Sequence, residues 1–130
     1  MPPAKPAGGC TPGYWRQFGA DQGGDQHLQS WLDAGFDPSD DFEAVFNVDA
    51  TFSPHTLGDA VWLGGGGENA LARHAVAALL NAHTLTFQYS ITEVLAMVQQ
   101  IYSTAPNSNS EWNEVKDLLD RANNAGCPLN

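Results

Sequence analysis

The sequence predicts a mainly α-helical protein: a small bundle of about five helices behind an irregular N-terminal loop region, with its ends tied by one disulfide. Three observations carry that prediction. The run "ENALARHAVAALLNAH", residues 68–83, is rich in alanine, the best helix former, and sets apolar side chains on one face. Three hydroxyl-to-carboxylate pairs, Thr56/Asp59, Ser90/Glu93 and Ser108/Glu111, stand three residues apart ahead of apolar stripes, the signature of a capped helix start. The only two cysteines, Cys10 and Cys127, sit at the two edges of the part of the chain that can build a core.

The elements follow in order. Residues 1–9 hold three prolines and two glycines, a composition for a flexible, extended arm ahead of a single helical domain at 10–130. Residues 11–27 are turn-rich, with Tyr14 and Trp15 as large anchors. A short amphipathic piece surrounds Leu28, Trp31 and Leu32. Asp37-Pro38 predicts a helix start, with Asp as the cap and Pro at the first helical position. Phe42, Val45 and Phe46 follow at helical spacing. Alternation from Phe46 to Phe52 suits an extended connection or a short strand, as does "TLTFQYS" at 84–90. Thr56 opens a helix that must end at Gly64. After Gly64–Gly67 comes the alanine-rich helix, whose small side chains let neighbours approach closely and place it centrally. Tyr89 and Val94 complete a hydrophobic staple around the Ser90 cap. The last helix shows Trp112, Val115, Leu118, Leu119 and Ala122 on one stripe, and Gly126 and Pro128 end it.

Charge excludes whole classes of partner. The net charge is −10, and no Lys or Arg occurs between Arg16 and Arg73, a stretch that carries ten acids. A nucleic-acid binder needs the opposite footprint. No run of 18 apolar residues exists, so no membrane insertion is expected. An acidic face of this kind keeps a protein in solution, or docks cations or a basic segment of a neighbour.

Two cysteines so far apart can be unrelated buried thiols, the ordinary state in a reducing compartment. Three features favour a bridge instead. Both neighbour turn residues, no third cysteine competes, and chain termini often lie close together on a domain surface. A Cys10–Cys127 bridge would close nearly the whole chain into one loop and stabilise it by about 5 kcal/mol at most. It would imply an oxidising setting: periplasm, cell surface or medium. The segment "MPPAKPAGG" lacks the apolar core of a signal peptide, which leaves a removed signal, another export route or an internal protein open.

Candidate chemistry is sparse. "GGGGENA" carries a G-x-G-x-x-A spacing, but the preceding segment reads as helix and no acid follows about 20 residues on, as a dinucleotide site requires. His27, His55, His74 and His83 share no metal-ligand spacing. Asp37, Asp40, Asp41 and Glu43 could gather oxygens around calcium, without the spacing or glycine of an EF-hand, and Asp21 and Asp25 are a weaker pair of the same sort. No nucleophilic triad or paired carboxylates stand out, so the expectation is a protein that is not an enzyme and has no cofactor. Four tryptophans are many for this length; most serve as core anchors, and one or two exposed could bind sugar rings.

Taken together, "CTPGYW" (10–15), "GGGGENALARHAVAALLNA" (64–82), "SITEVLAMVQQIY" (90–102) and "LLDRANNAGCPL" (118–129) resemble a loosely characterised module of exported bacterial proteins. That module begins Cys-Thr-Pro-Gly-Tyr/Phe-Trp and ends Asn-x-x-Gly-Cys-Pro-Leu. The resemblance spans nearly all of 10–129 and implies a secreted or surface-attached module with no agreed activity. Arg16, Gln17 and Phe18 stand where the module continues Lys-Asn-His, and no catalytic residue carries over.

The functional expectation is an extracellular or cell-surface structural protein, a self-assembling subunit of a filament or tube. The arm of one copy would lie on the next, with Lys5 meeting Asp37, Asp40, Asp41 and Glu43, and with Tyr14 and Trp15 as further contact candidates. Head-to-tail contacts of that kind propagate into open polymers unless they close. The alternative is a secreted module that binds glycans or surface polymers through exposed Trp or Tyr.

Overall fold

A computed structural model of the chain describes residues 5–19, 26–104 and 108–129. The arm residues 1–4, the acidic pair Asp21 and Asp25, and Pro106 lie outside them. Among the described residues seven helices follow one another: α1 (Pro12–Trp15), α2 (Leu28–Asp33), α3 (Phe42–Phe46), α4 (Leu57–Trp62), α5 (Glu68–Thr84), α6 (Ile91–Ser103) and α7 (Asn109–Asn123). Among the described residues there is no strand, only isolated bridges joining Ala7 to Thr86, Gly9 to Gly126 and Asp41 to Thr56. The alternating stretches at 46–52 and 84–90 are therefore connections.

The alanine-rich helix is the axis of the fold. Leu71, Ala72, Ala75, Val76, Ala77, Ala78 and Leu80 are fully buried on α5, so it is enclosed on most sides, as an all-round apolar helix must be. It packs against α7, α4 and α6, and also touches α1 and α2. Ser90 and Glu93 form the full reciprocal capping box on α6. Thr56 caps α4 through the Asp59 N–H, while the shorter Asp59 carboxylate takes the Thr56 hydroxyl at 2.6 Å. Ser108 caps α7 at the Glu111 N–H.

Three local expectations are corrected. The one-turn helix α1 falls in the stretch read as turns. The helix placed at Asp37-Pro38 begins instead at Phe42, capped by Asp41. Asp37 is engaged in its own tight turn, accepting from the N–H and hydroxyl of Ser39 at 2.9 and 2.7 Å, while Asp40 turns back onto the Asp37 N–H. Leu118, expected on the buried stripe, is 41% exposed. At 100° per residue it lies about 120° round the helix from the face that Trp112, Leu119 and Asn123 share, and the buried place falls to Asn123.

Candidate functional site

The two ends of the chain meet. Cys10 and Cys127 are disulfide-bonded across 117 residues. A polar network of side chains seals this clasp from inside. Asn81, fully buried on α5, accepts from the Cys10 N–H and the Trp15 indole N–H, both at 3.0 Å. Its amide group donates to the Cys10 carbonyl at 2.8 Å and to Asn123 Oδ1 at 2.9 Å. All four hydrogen-bonding sites of that side chain are satisfied. Asn123, on α7, donates in turn to the His74 carbonyl at 3.1 Å and approaches its Nδ1 at 3.3 Å. Burial pushes the His74 imidazole down to about 4; Asp120 opposes this, and Arg73 and Lys116 reinforce it. The ring is thus neutral near pH 7, and its 3.9 Å approach to Asp120 is not an ion pair there.

Immediately before the clasp, residues 5–9 run along the body. The Thr86 N–H donates to the Pro6 carbonyl at 2.9 Å, Gly8 N–H to the Thr86 carbonyl at 3.3 Å, and Gly9 N–H to the Gly126 carbonyl at 3.0 Å. Lys5 Nζ donates to the His83 carbonyl of its own chain at 3.0 Å. Lys5, Pro6 and Ala7 are exposed. A Cβ at Gly8 would collide with the Gly126 carbonyl, and one at Gly9 with that of Ala122, so this seat accepts only bare backbone there. A polar cleft of about 300 Å³ opens beside the clasp, lined among others by Thr11, Tyr14, Gln17 and Asn124. Among the described residues no carboxylate lines it.

The acidic stretch is mostly engaged in its own local structure. Asp33 accepts from Gln29, Asp37 and Asp40 close a turn, Asp59 holds a cap, and Glu68 accepts from Thr51 and the Tyr102 hydroxyl. Asp41, the cap of α3, and Glu43, which accepts from the Ala50 N–H, in addition both face His55, whose Nδ1 lies 3.4 Å from Asp41 Oδ1 and 3.8 Å from Glu43 Oε1. His55 is 12 residues from Glu43, a separation that matches no ligand motif. The segments are brought together by main-chain bonds from Phe42 N–H to the His55 carbonyl (2.7 Å) and from Leu57 N–H to the Asp40 carbonyl (2.8 Å). Among the described residues this is the one group of three or more His, Cys, Asp or Glu whose donor atoms lie close enough to hold a metal ion.

Of the aromatic contact candidates, Tyr14 is 5% and Trp15 0% exposed. Both belong to the chain's own core, so neither offers a surface to a neighbour. Trp15 stacks edge-on against Trp31, and the Trp31 indole N–H donates to the Trp15 carbonyl at 2.6 Å. Trp62 alone of the tryptophans is exposed, at 39%, with the Arg16 guanidinium 4.7 Å from its ring centre.

No family model matches the chain, and neither a curated protein nor a solved structure matches it. Among the described residues, no helix is long and apolar enough to cross a membrane.

Proposed function

We propose that the protein is an extracellular structural subunit that assembles with copies of itself, its N-terminal arm serving as the connector. The observation that carries this reading is the mode of attachment of residues 5–9. They are held by main-chain hydrogen bonds, by the Thr86 hydroxyl donating to the Lys5 carbonyl at 3.0 Å and by the Lys5 contact to a carbonyl, with no apolar side chain of the arm anchoring them. Gly8 and Gly9 are pinned beside the clasp, but main-chain pairing ahead of them is indifferent to which copy supplies it, so the seat of residues 5–7 can take its own arm or a neighbour's. The Cys10–Cys127 bond fits an oxidising setting outside the cell, and the likeness of residues 10–129 to an exported module points the same way. Electron microscopy and light scattering of the full chain, beside a chain lacking residues 1–7, test the proposal. Polymer from the full chain and monomer from the shortened one are expected. Equal assembly by both, or monomer in both, refutes it.

The glycan-binding alternative rests on Trp62, which is 39% exposed with the Arg16 guanidinium lying over its ring. Polysaccharides that quench tryptophan emission in the native chain, but not in Trp62→Ala, would favour it over assembly.

A further inference from the structure

We propose that Asp41, Glu43 and His55 form a binding site for zinc. The donor set is mixed: one imidazole nitrogen and two carboxylate oxygens, drawn from two segments of chain. A tetrahedral zinc ion with bonds of about 2.0–2.2 Å separates its donors by roughly 3.3–3.6 Å. His55 Nδ1 and Asp41 Oδ1 are already 3.4 Å apart, and His55 Nδ1 and Glu43 Oε1 are 3.8 Å apart. All three donor atoms lie within 4.8 Å of one another. Asp41 Oδ1 also accepts from the Glu43 N–H at 3.3 Å as the cap of α3, so closing the remaining gap between the carboxylates falls to a side chain that is 53% exposed but tethered at its base.

The frame around these donors is fixed from the backbone. The Asp41–Thr56 bridge and the Phe42-to-His55 hydrogen bond hold the two segments in register. Glu43 presents Oε1 to the histidine because its other oxygen accepts from the Ala50 N–H at 2.8 Å. An outer hydrogen bond that orients a ligating carboxylate is what a metal site requires of its surroundings.

The chemistry selects among ions. Calcium and magnesium take oxygen donors in larger number, whereas imidazole with carboxylate suits zinc. Two carboxylates balance the charge of a divalent ion, and among the described residues no Lys or Arg pairs with either of them. Three protein donors leave a fourth position for water. This assignment is independent of the assembly reading and stands or falls without it.

Titration calorimetry of the full-length chain with zinc chloride tests the site, with cobalt(II) as a spectroscopic stand-in. One ion per chain is expected, with a visible cobalt band of low coordination number that a hundredfold excess of calcium does not remove. His55→Ala and Glu43→Gln are each expected to weaken zinc binding at least tenfold and to abolish the cobalt band, while His83→Ala, at the far end of α5, leaves both unchanged. Circular dichroism verifies the helices of each variant, and Asp41→Asn replaces any that does not fold. Absence of saturable zinc binding to the native chain, or binding within twofold of native in the folded Asp41, Glu43 and His55 variants, overturns the assignment.

Discussion

Residues 5–9 and the clasp they lead into are neighbours in sequence and opposites in construction. From Cys10 onward the chain is held by a covalent bond and by Asn81, an amide with every hydrogen-bonding site filled. Ahead of it, the same chain lies on the surface by main-chain bonds, with Lys5, Pro6 and Ala7 exposed. Buried side-chain networks specify one partner, because leaving any member unpaired costs the full desolvation of that group. Exposed backbone pairing specifies a geometry and not a partner. The clasp therefore fixes the fold, and the arm is the part that can be exchanged.

That contrast predicts a graded series. The largest effect belongs to the covalent link. Replacing both cysteines with serine removes a constraint on a 117-residue separation, which contributes about 5 kcal/mol at most, and denaturant midpoints read the loss. Next is Asn81→Leu, expected to cost about 3–4 kcal/mol because it strands the Cys10 N–H and carbonyl and the Trp15 indole inside the core. Acid follows. The His74 ring is held down to about 4, first by burial, while the unfolded chain takes up that proton near the ordinary histidine value. Between the two the unfolded state binds more protons, so stability is full above about pH 6.5 and falls by up to roughly 3 kcal/mol as pH drops to 4. His74→Gln, if it folds, flattens that slope. Deleting residues 1–7 has the smallest effect on the monomer, about 1 kcal/mol, because exposed hydrogen bonds are offset by the ordering of the arm. Were the deletion to cost as much as Asn81→Leu, arm and clasp would be a single unit and the contrast would vanish.

The parts of the fold legible in the sequence are those with local causes. The alanine run announced α5, and Ser90 with Glu93 announced α6 to the residue, because composition and capping act within one or two turns. The cystine could be anticipated from turn residues around each cysteine. The rest depends on distance. Asn81 reaches Cys10 across 71 residues, and nothing local marks it, although an asparagine directly after the apolar run Ala75–Leu80 was a signal to follow. Asn123 gave the same signal on the buried face of α7. Asp37 misled because Asp-Pro is equally the start of a turn, and only the competition between Ser39 and a helix for its carboxylate decides. His55 was set aside for lack of ligand spacing, yet the Asp41–Thr56 bridge delivers it to two acids.

Whether the arm is exchanged can be read from one cross-linking measurement. Ala7 and Thr86 are bridge partners and both are exposed. A chain carrying Ala7→Cys is mixed with a chain carrying Thr86→Cys under mild oxidation, beside a single chain carrying both changes. A disulfide-linked pair with one chain of each kind is the expected result from the mixture, and a ladder of linked chains from the doubly substituted chain. A mixture that stays unlinked, while the doubly substituted chain closes only within itself, would show that the arm serves its own body alone.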